Sequence, residues 1–156
     1  MFQDAKISSD GKYRYSLVRE WDKETPKVLF IGLNPSTADE KTDDPTIRRC
    51  IGFAKKWGYG GILVGNLFAI RSTDPALIRK ESDPIGSEND ASLHEMVKLA
   101  KLVVAAWGNH GGYLHRSAVV RACIPNMKCF AKNKTGEPKH PLYVSENQPL
   151  IDLNCP

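Results

Sequence analysis

Four apolar runs, separated by amphipathic or polar stretches, dominate the hydrophobic pattern of the chain. They are VLFIGL at 28–33, GGILVGNLFAI at 60–70, LVVAAW at 102–107 and MKCFA at 127–131. Continuous apolar runs of this length are typical of strands that are buried on both faces, as in parallel sheets. The pattern therefore predicts a mainly parallel, four-stranded central sheet.

The stretches between these runs predict helices. The clearest helix begins at Asp44-Pro45, because Asp is a good N-cap and Pro suits the first helical position. Further helices are predicted over 75–80, 87–100 and 113–124. Strands that alternate with helices along the chain predict an α/β protein.

The segment before the first run predicts an N-terminal β-hairpin. Asp10-Gly11 is a strong signal for a two-residue turn. After the turn, apolar and polar residues alternate, so one face of the second strand is expected to be buried: Tyr13, Tyr15 and Leu17, with Lys12, Arg14 and Ser16 between them.

The length and the composition are those of an ordinary globular domain. The chain has 156 residues, of which 41% are apolar and 26% are charged. One domain is predicted, with the hairpin at 1–25, the core at 26–131 and an irregular tail at 132–156.

The sequence predicts a cytoplasmic protein that does not contact membranes. No apolar run approaches the roughly 20 residues that span a bilayer, and the N-terminus lacks the apolar stretch of a signal peptide. The four cysteines include no C-x-x-C pair, which argues against zinc, and reduced thiols fit this location. Neither a cofactor nor a metal is predicted.

Charge is unevenly distributed along the chain. The net charge is +4, and from Lys98 to His140 there are eight Lys and Arg residues but one acid. From Glu81 to Glu95 there are five acids and no Lys or Arg. A basic C-terminal half can face phosphates, and the alternative is a solvated lysine-rich surface.

Polar side chains follow the predicted strands, where ligands bind in parallel sheets. Asn34 offers a donor and an acceptor on a backbone that Pro35 stiffens. Asn66 lies inside an apolar run, and a ligand with a donor–acceptor edge, such as a nucleobase, would satisfy its buried amide. His140 follows the fourth run and suits a hydrogen bond to developing negative charge.

Three aromatic residues near the same strand ends are candidate stacking surfaces for a base: Phe68, Trp107 and Tyr143. Each of these candidate residues also has a purely structural interpretation. Asn34 then caps its own loop, Asn66 pairs with main chain, Trp107 belongs to the core and His140 lies on the surface.

Four acids follow the first strand: Asp39, Glu40, Asp43 and Asp44. Asp44 is most simply a helix cap. Asp39 and Asp43 are candidates to orient Arg48 or Arg49 through paired hydrogen bonds. A magnesium site is the less favoured alternative.

Nearly the whole chain resembles an uncharacterised family, the domain of unknown function numbered 1643. The segments that carry the resemblance are YRYSLVREWD, LFIGLNPSTADEKTDDPTIRRCIGFAKKWGYGG, NLFAIRSTDP, DPIGSENDASL, VVAAWG and HPLYVS.

The order of the loops also resembles the uracil-DNA glycosylase superfamily. GLNPS at 32–36 is similar to its Gly-x-Asn-Pro motif, GNLFAIR contains the base-reading Asn, VVAAWG matches a strand that ends in Trp-Gly, and KHPLYVS contains His-Pro. This resemblance implies a three-layer α/β/α fold and the extrusion of a base into a cavity.

Roles for individual residues follow from this resemblance. Asn34 is expected to hold the attacking water, Asn66 to read the base and His140 to stabilise the departing base. Gly32, Pro35 and Ser36 belong to the same first motif and are expected to contact the base or nucleotide. Cationic side chains are expected to bind phosphate: Arg48, Arg71, Lys132 and Lys139.

The resemblance thus implies hydrolysis of the N-glycosidic bond of a base, modified or unmodified, in DNA or in a nucleotide. Asn34 cannot act as a general base, so the alternative is a non-catalytic module that binds a nucleotide or nucleic acid. A second alternative is an interaction protein that reuses the fold to bind a protein partner. The pattern specifies no oligomeric state.

Overall fold

The computed structural model describes residues 1–154, and Cys155 therefore lies outside the described residues. These residues form an α/β protein, as the sequence predicts. The strands are β1 (Phe2–Ile7), β2 (Arg14–Glu20), β3 (Lys27–Gly32), β4 (Gly61–Asn66), β5 (Ala100–Ala105), β6 (Lys128–Cys129) and β7 (Ile151–Asp152). The α-helices are α1 (Pro45–Lys56), α2 (Asn89–Leu99) and α3 (Arg116–Cys123), and short 3₁₀ helices cover Pro75–Arg79, Asn109–His115 and Pro141–Tyr143.

The strands form one mixed sheet in the order β1-β2-β4-β3-β5-β6-β7. Strands β4, β3, β5 and β6 are parallel neighbours, whereas β1, β2 and β7 are joined to the sheet by antiparallel pairing. Within residues 1–154 the sheet therefore has seven strands and not the four that the apolar runs predict. The difference arises because β2 pairs with β4, so the N-terminal hairpin extends the sheet, and because β7 in the tail adds a strand beside β6.

Apolar side chains form two clusters that alternate along the strands. Val28 and Phe30 belong to a cluster that includes Ile47 and Phe53 of α1. Leu29 and Ile31, the residues between them, belong to a second cluster that also draws on helices α2 and α3: Leu93, Met96 and Val120. Because β3 is buried on both faces, it reads as one continuous apolar run.

Helix α1 begins where the sequence predicts. Asp44 is its N-cap and accepts a hydrogen bond at 2.9 Å from the backbone N–H of Ile47, and Pro45 is the first helical residue. This places the start of the helix, and the carboxylate of Asp44, beside the loop that follows β3.

The second strand is buried more completely than its alternating pattern predicts. Arg14 and Arg19 are both buried, although only the apolar residues were expected to face the interior. Groups from the loop after β3 cover both side chains, because Arg14 donates to the carbonyl oxygen of Ala38 and Arg19 donates to Asp43. None of the helices within residues 1–154 is long and apolar enough to cross a bilayer.

Candidate functional site

A cavity of about 700 Å³ lies where strands β3, β4 and β5 end, and the 3₁₀ turn Pro141–Tyr143 closes one side. This volume is in the range of roughly 300–1,000 Å³ that is usual for small-molecule sites. Most of the residues that the sequence suggests for a site line it: Gly32, Asn34, Pro35, Ser36, Asn66, Trp107, Lys139, His140 and Tyr143.

Asn66, the last residue of β4, carries an unsatisfied amide. Its side chain is only 4% exposed, and Nδ2 has no hydrogen-bond partner within residues 1–154. A buried donor without a partner costs about 1–3 kcal/mol, so such groups are rare in native proteins. Because Asn66 lines the cavity, a ligand that offers an acceptor would satisfy this N–H.

Asn34 ties the loop after β3 to the loop after β4. Its Nδ2 donates to the carbonyl oxygens of Pro35, Ile70 and Ser72, at 3.3, 3.4 and 3.1 Å. Because all three partners are carbonyl oxygens, which only accept hydrogen bonds, the amide nitrogen and not the amide oxygen of Asn34 must face them. The Oδ1 atom accepts no hydrogen bond from the described residues and remains available to a water molecule or a ligand.

His140 presents a neutral ring to the cavity. Its Nδ1 accepts a hydrogen bond from the backbone N–H of Leu142 at 3.2 Å, which caps the 3₁₀ turn. The proton of the neutral ring is therefore on Nε2. Burial lowers the pKa of His140, and the charge of nearby Asp44 opposes this only in part. At neutral pH the ring is thus an uncharged donor.

Arg14 is a cavity residue that the sequence analysis missed. Its side chain is 2% exposed, Nη1 donates to the carbonyl oxygen of Ala38 at 3.0 Å, and Nε is buried without a partner. Burial lowers its pKa to about 10, and the charge of Asp44 partly opposes this, so the guanidinium remains cationic at neutral pH. No sequence signal marks Arg14, because an arginine in an alternating strand is normally exposed.

The aromatic candidates differ in their positions. Trp107 is buried, and its Nε1 donates to Glu137 Oε2 at 3.1 Å, so its ring belongs mainly to the core although it contacts the cavity. Phe68 lies outside the cavity lining, in the core beside Tyr113. Tyr143 is 79% exposed, and its ring centre is 5.6 Å from that of His140.

The cationic candidates are dispersed. Lys139 lines the cavity, whereas Arg48, Arg71 and Lys132 do not. Arg48 is exposed on α1 and donates to the backbone oxygen of Asp43, and Arg71 donates to the backbone oxygen of Gly11. The structure therefore does not bring the four predicted phosphate-binding residues together.

The acids after β3 have structural roles. Asp43 accepts a hydrogen bond at 2.8 Å from Arg19 Nε. The sequence pattern predicts Arg48 or Arg49 as the partner of this side chain instead. The carboxylate of Asp39 accepts hydrogen bonds from the backbone N–H groups of Lys41 and Thr42, and these hold its pKa below the ordinary value.

The described residues thus form an α/β protein with a cavity at the carboxyl ends of parallel strands. The chain belongs to the family described as "Protein of unknown function (DUF1643)", which matches residues 14–142 and confirms the family resemblance of the sequence. The matched region begins at Arg14 and includes Asn34, Asn66 and His140. No curated protein and no solved structure matches the chain.

Proposed function

We propose that the protein is a uracil-DNA glycosylase-like enzyme that hydrolyses the N-glycosidic bond of a base, modified or unmodified, in DNA or in a nucleotide. The observation that carries the proposal is the unpartnered amide N–H of Asn66, buried in a cavity that Asn34 and His140 also line. A heterocycle with an acceptor at its edge would satisfy that donor.

The three side chains suit the steps of such a reaction. The bond between the sugar C1′ and the base nitrogen breaks, and its electron pair stays on the base. The Nε2–H of His140 donates a hydrogen bond to the negative charge that develops there. Water held by Asn34 Oδ1 bonds to C1′, and the proton it releases reaches the departing base through solvent, which balances the hydrolysis.

The proposal also assigns a three-layer α/β/α architecture of the glycosylase type to the core. In support, β4, β3, β5 and β6 are mutually parallel, and apolar clusters that include helical residues lie on both faces of β3. The loops after these strands contain the four motifs of the resemblance in the same order along the chain.

Base release from a panel of substrates tests the proposal. We expect the purified protein to free a base from at least one uracil-containing or modified DNA or nucleotide. Asn34→Ala is expected to abolish release, and Asn66→Asp to reduce it strongly because Asp lacks the amide donor. Asn147→Ala, at an exposed position outside the cavity, is the matched control. No release from the whole panel would contradict the proposal.

A second candidate function is binding without catalysis. The amide of Asn34 already joins two loops through main-chain carbonyls, and an amide at this position cannot remove a proton from water. This candidate predicts that a nucleotide raises the melting temperature of the protein while no base is released. Base release that depends on Asn34 would exclude it.

A further inference from the structure

The three most buried arginines of the described chain differ in how their charges are compensated. Arg19 donates to Asp43 at 2.8 Å and also to main-chain carbonyls. Arg116 pairs with Asp90 and donates to the carbonyl oxygen of Leu67 at 2.8 Å. Arg14 forms no ion pair within residues 1–154.

The side chain of Arg14 has one hydrogen bond within residues 1–154, where the other two arginines have several. Its Nη1 contacts the carbonyl oxygen of Ala38, and its buried Nε–H contacts no acceptor. A buried charge without a counter-ion is strongly unfavourable, so native proteins pair such charges or place them where a ligand supplies the counter-ion. The charge of Asp44 compensates that of Arg14 only in part, and Arg14 lines the cavity, so a further anion is expected there.

The other charged groups of the cavity favour an anion. Lys139 adds a second positive charge, while Asp44 is the carboxylate among the lining residues. One oxygen of Asp44 caps helix α1. His140 is neutral at neutral pH, so the lining carries a net positive charge.

We propose that Arg14 binds the phosphate of the ligand, and that the substrate class is therefore a free nucleotide with a terminal phosphate. This inference rests on the proposed function of the same cavity. Arginine presents parallel N–H donors that match the oxygens of a phosphate. With Arg14 only 2% exposed, the phosphate must enter the cavity completely. A terminal phosphate monoester can enter in this way because no nucleotide follows it. A phosphodiester within a DNA strand is joined to a nucleotide on each side and cannot be enclosed.

Calorimetric titration of matched ligands tests this assignment. The ligands are the common nucleoside 5′-monophosphates, the corresponding nucleosides, inorganic phosphate and single-stranded oligonucleotides with the same bases. We expect at least one monophosphate to bind about 10-fold or more tightly than its nucleoside and than the oligonucleotide. Arg14→Met is expected to remove this advantage, while Arg79→Met, an exposed arginine outside the cavity, retains it.

A spectroscopic measurement covers the case in which Arg14→Met is poorly folded. The buried Nε–H of Arg14 gives an NMR resonance that is expected to shift when inorganic phosphate is added to the unmodified protein. Arg14→Lys keeps the charge but loses the paired donors, so it should bind monophosphates with intermediate affinity. An Arg14 resonance that does not respond to phosphate would overturn the assignment.

The outcomes separate this inference from the proposed function. Equal affinity for nucleoside and monophosphate, or binding of none of these ligands, would overturn the phosphate site even where base release is observed. Arg14-dependent binding of monophosphates without any base release would support the phosphate site and contradict the glycosylase proposal. Base release restricted to oligonucleotides would also overturn the free nucleotide as substrate.

Discussion

A Cβ atom on Gly32 would lie 2.8 Å from Oδ1 of Asn66. The two residues are register partners at the ends of the neighbouring parallel strands β3 and β4. The amide of Asn66 can therefore occupy its place at the cavity because residue 32 has no side chain. Gly32 thus determines the shape of the site, although it has no functional group.

Gly32→Ala is expected to displace the amide of Asn66 and to weaken ligand binding. We expect a loss of about 10-fold or more in affinity, equivalent to about 1.4 kcal/mol, for any ligand that Asn66 contacts. Calorimetry with the best-bound ligand measures this loss. Gly52→Ala is the matched control, because a Cβ at that helical position meets no atom within 4 Å. Equal losses in the two variants would contradict the prediction.

Substitution by Met is expected to have opposite effects on stability at Arg14 and at Arg19. Arg14→Met removes a buried charge that forms no ion pair within residues 1–154, so the free energy of unfolding of the ligand-free protein is expected to rise by about 1 kcal/mol. Arg19→Met breaks a buried ion pair and frees main-chain acceptors, so a loss of about 3 kcal/mol is expected. Urea titration of both variants measures these changes, and a destabilised Arg14→Met would show that Arg14 is chiefly structural.

The contrast between these arginines shows where sequence reasoning fails. Apolar runs predicted the α/β class because buried parallel strands need apolar side chains on both faces. The burial of Arg14 and Arg19 is not predictable from the local pattern, since it depends on groups from the loop after β3 that lie 20 to 24 residues away in sequence. The size of the sheet was underestimated for a similar reason, because nothing local indicates that β2 pairs with β4.

The candidate site was predictable where its residues follow a strand directly. Asn66 ends β4 and Asn34 lies just beyond β3, and the topology of a parallel sheet brings such positions to one edge. His140 reaches the same cavity through a longer loop after β6. Phe68 shows the limit of this rule, since it also follows a strand but belongs to the core. The direction of the backbone beyond the strand decides whether a side chain lines the cavity or packs in the core. The residue pattern does not indicate this direction.

The lowered pKa of His140 predicts a pH dependence of stability. The folded state disfavours the charged ring, so the unfolded state binds the proton first as pH falls below the ordinary histidine pKa of about 6.5. Stability is therefore expected to decrease from that pH down to the lower pKa of the folded protein and to be unaffected above about pH 7.5. Asp44, whose negative charge favours protonation, reduces the effect.

His140→Asn is the variant that isolates this contribution. Asn keeps a side-chain acceptor for the N–H of Leu142 but does not titrate. The difference in melting temperature between about pH 7.5 and about pH 5.5 should therefore be smaller than in the unmodified protein. NMR titration of the His140 ring gives the pKa directly. A pKa at or above the ordinary value would contradict the burial of a neutral ring.

Asp44 combines a structural role with an electrostatic one, and two substitutions separate them. Asp44→Ala removes the cap of helix α1 and is expected to destabilise the protein by about 1 kcal/mol. Asp44→Asn keeps the acceptor for the N–H of Ile47, so most of the stability should remain. Because Asn also removes the negative charge from a cavity that contains Arg14 and Lys139, inorganic phosphate should bind more tightly to this variant. Unchanged or weaker phosphate binding by a stable Asp44→Asn protein would show that the anion binds elsewhere.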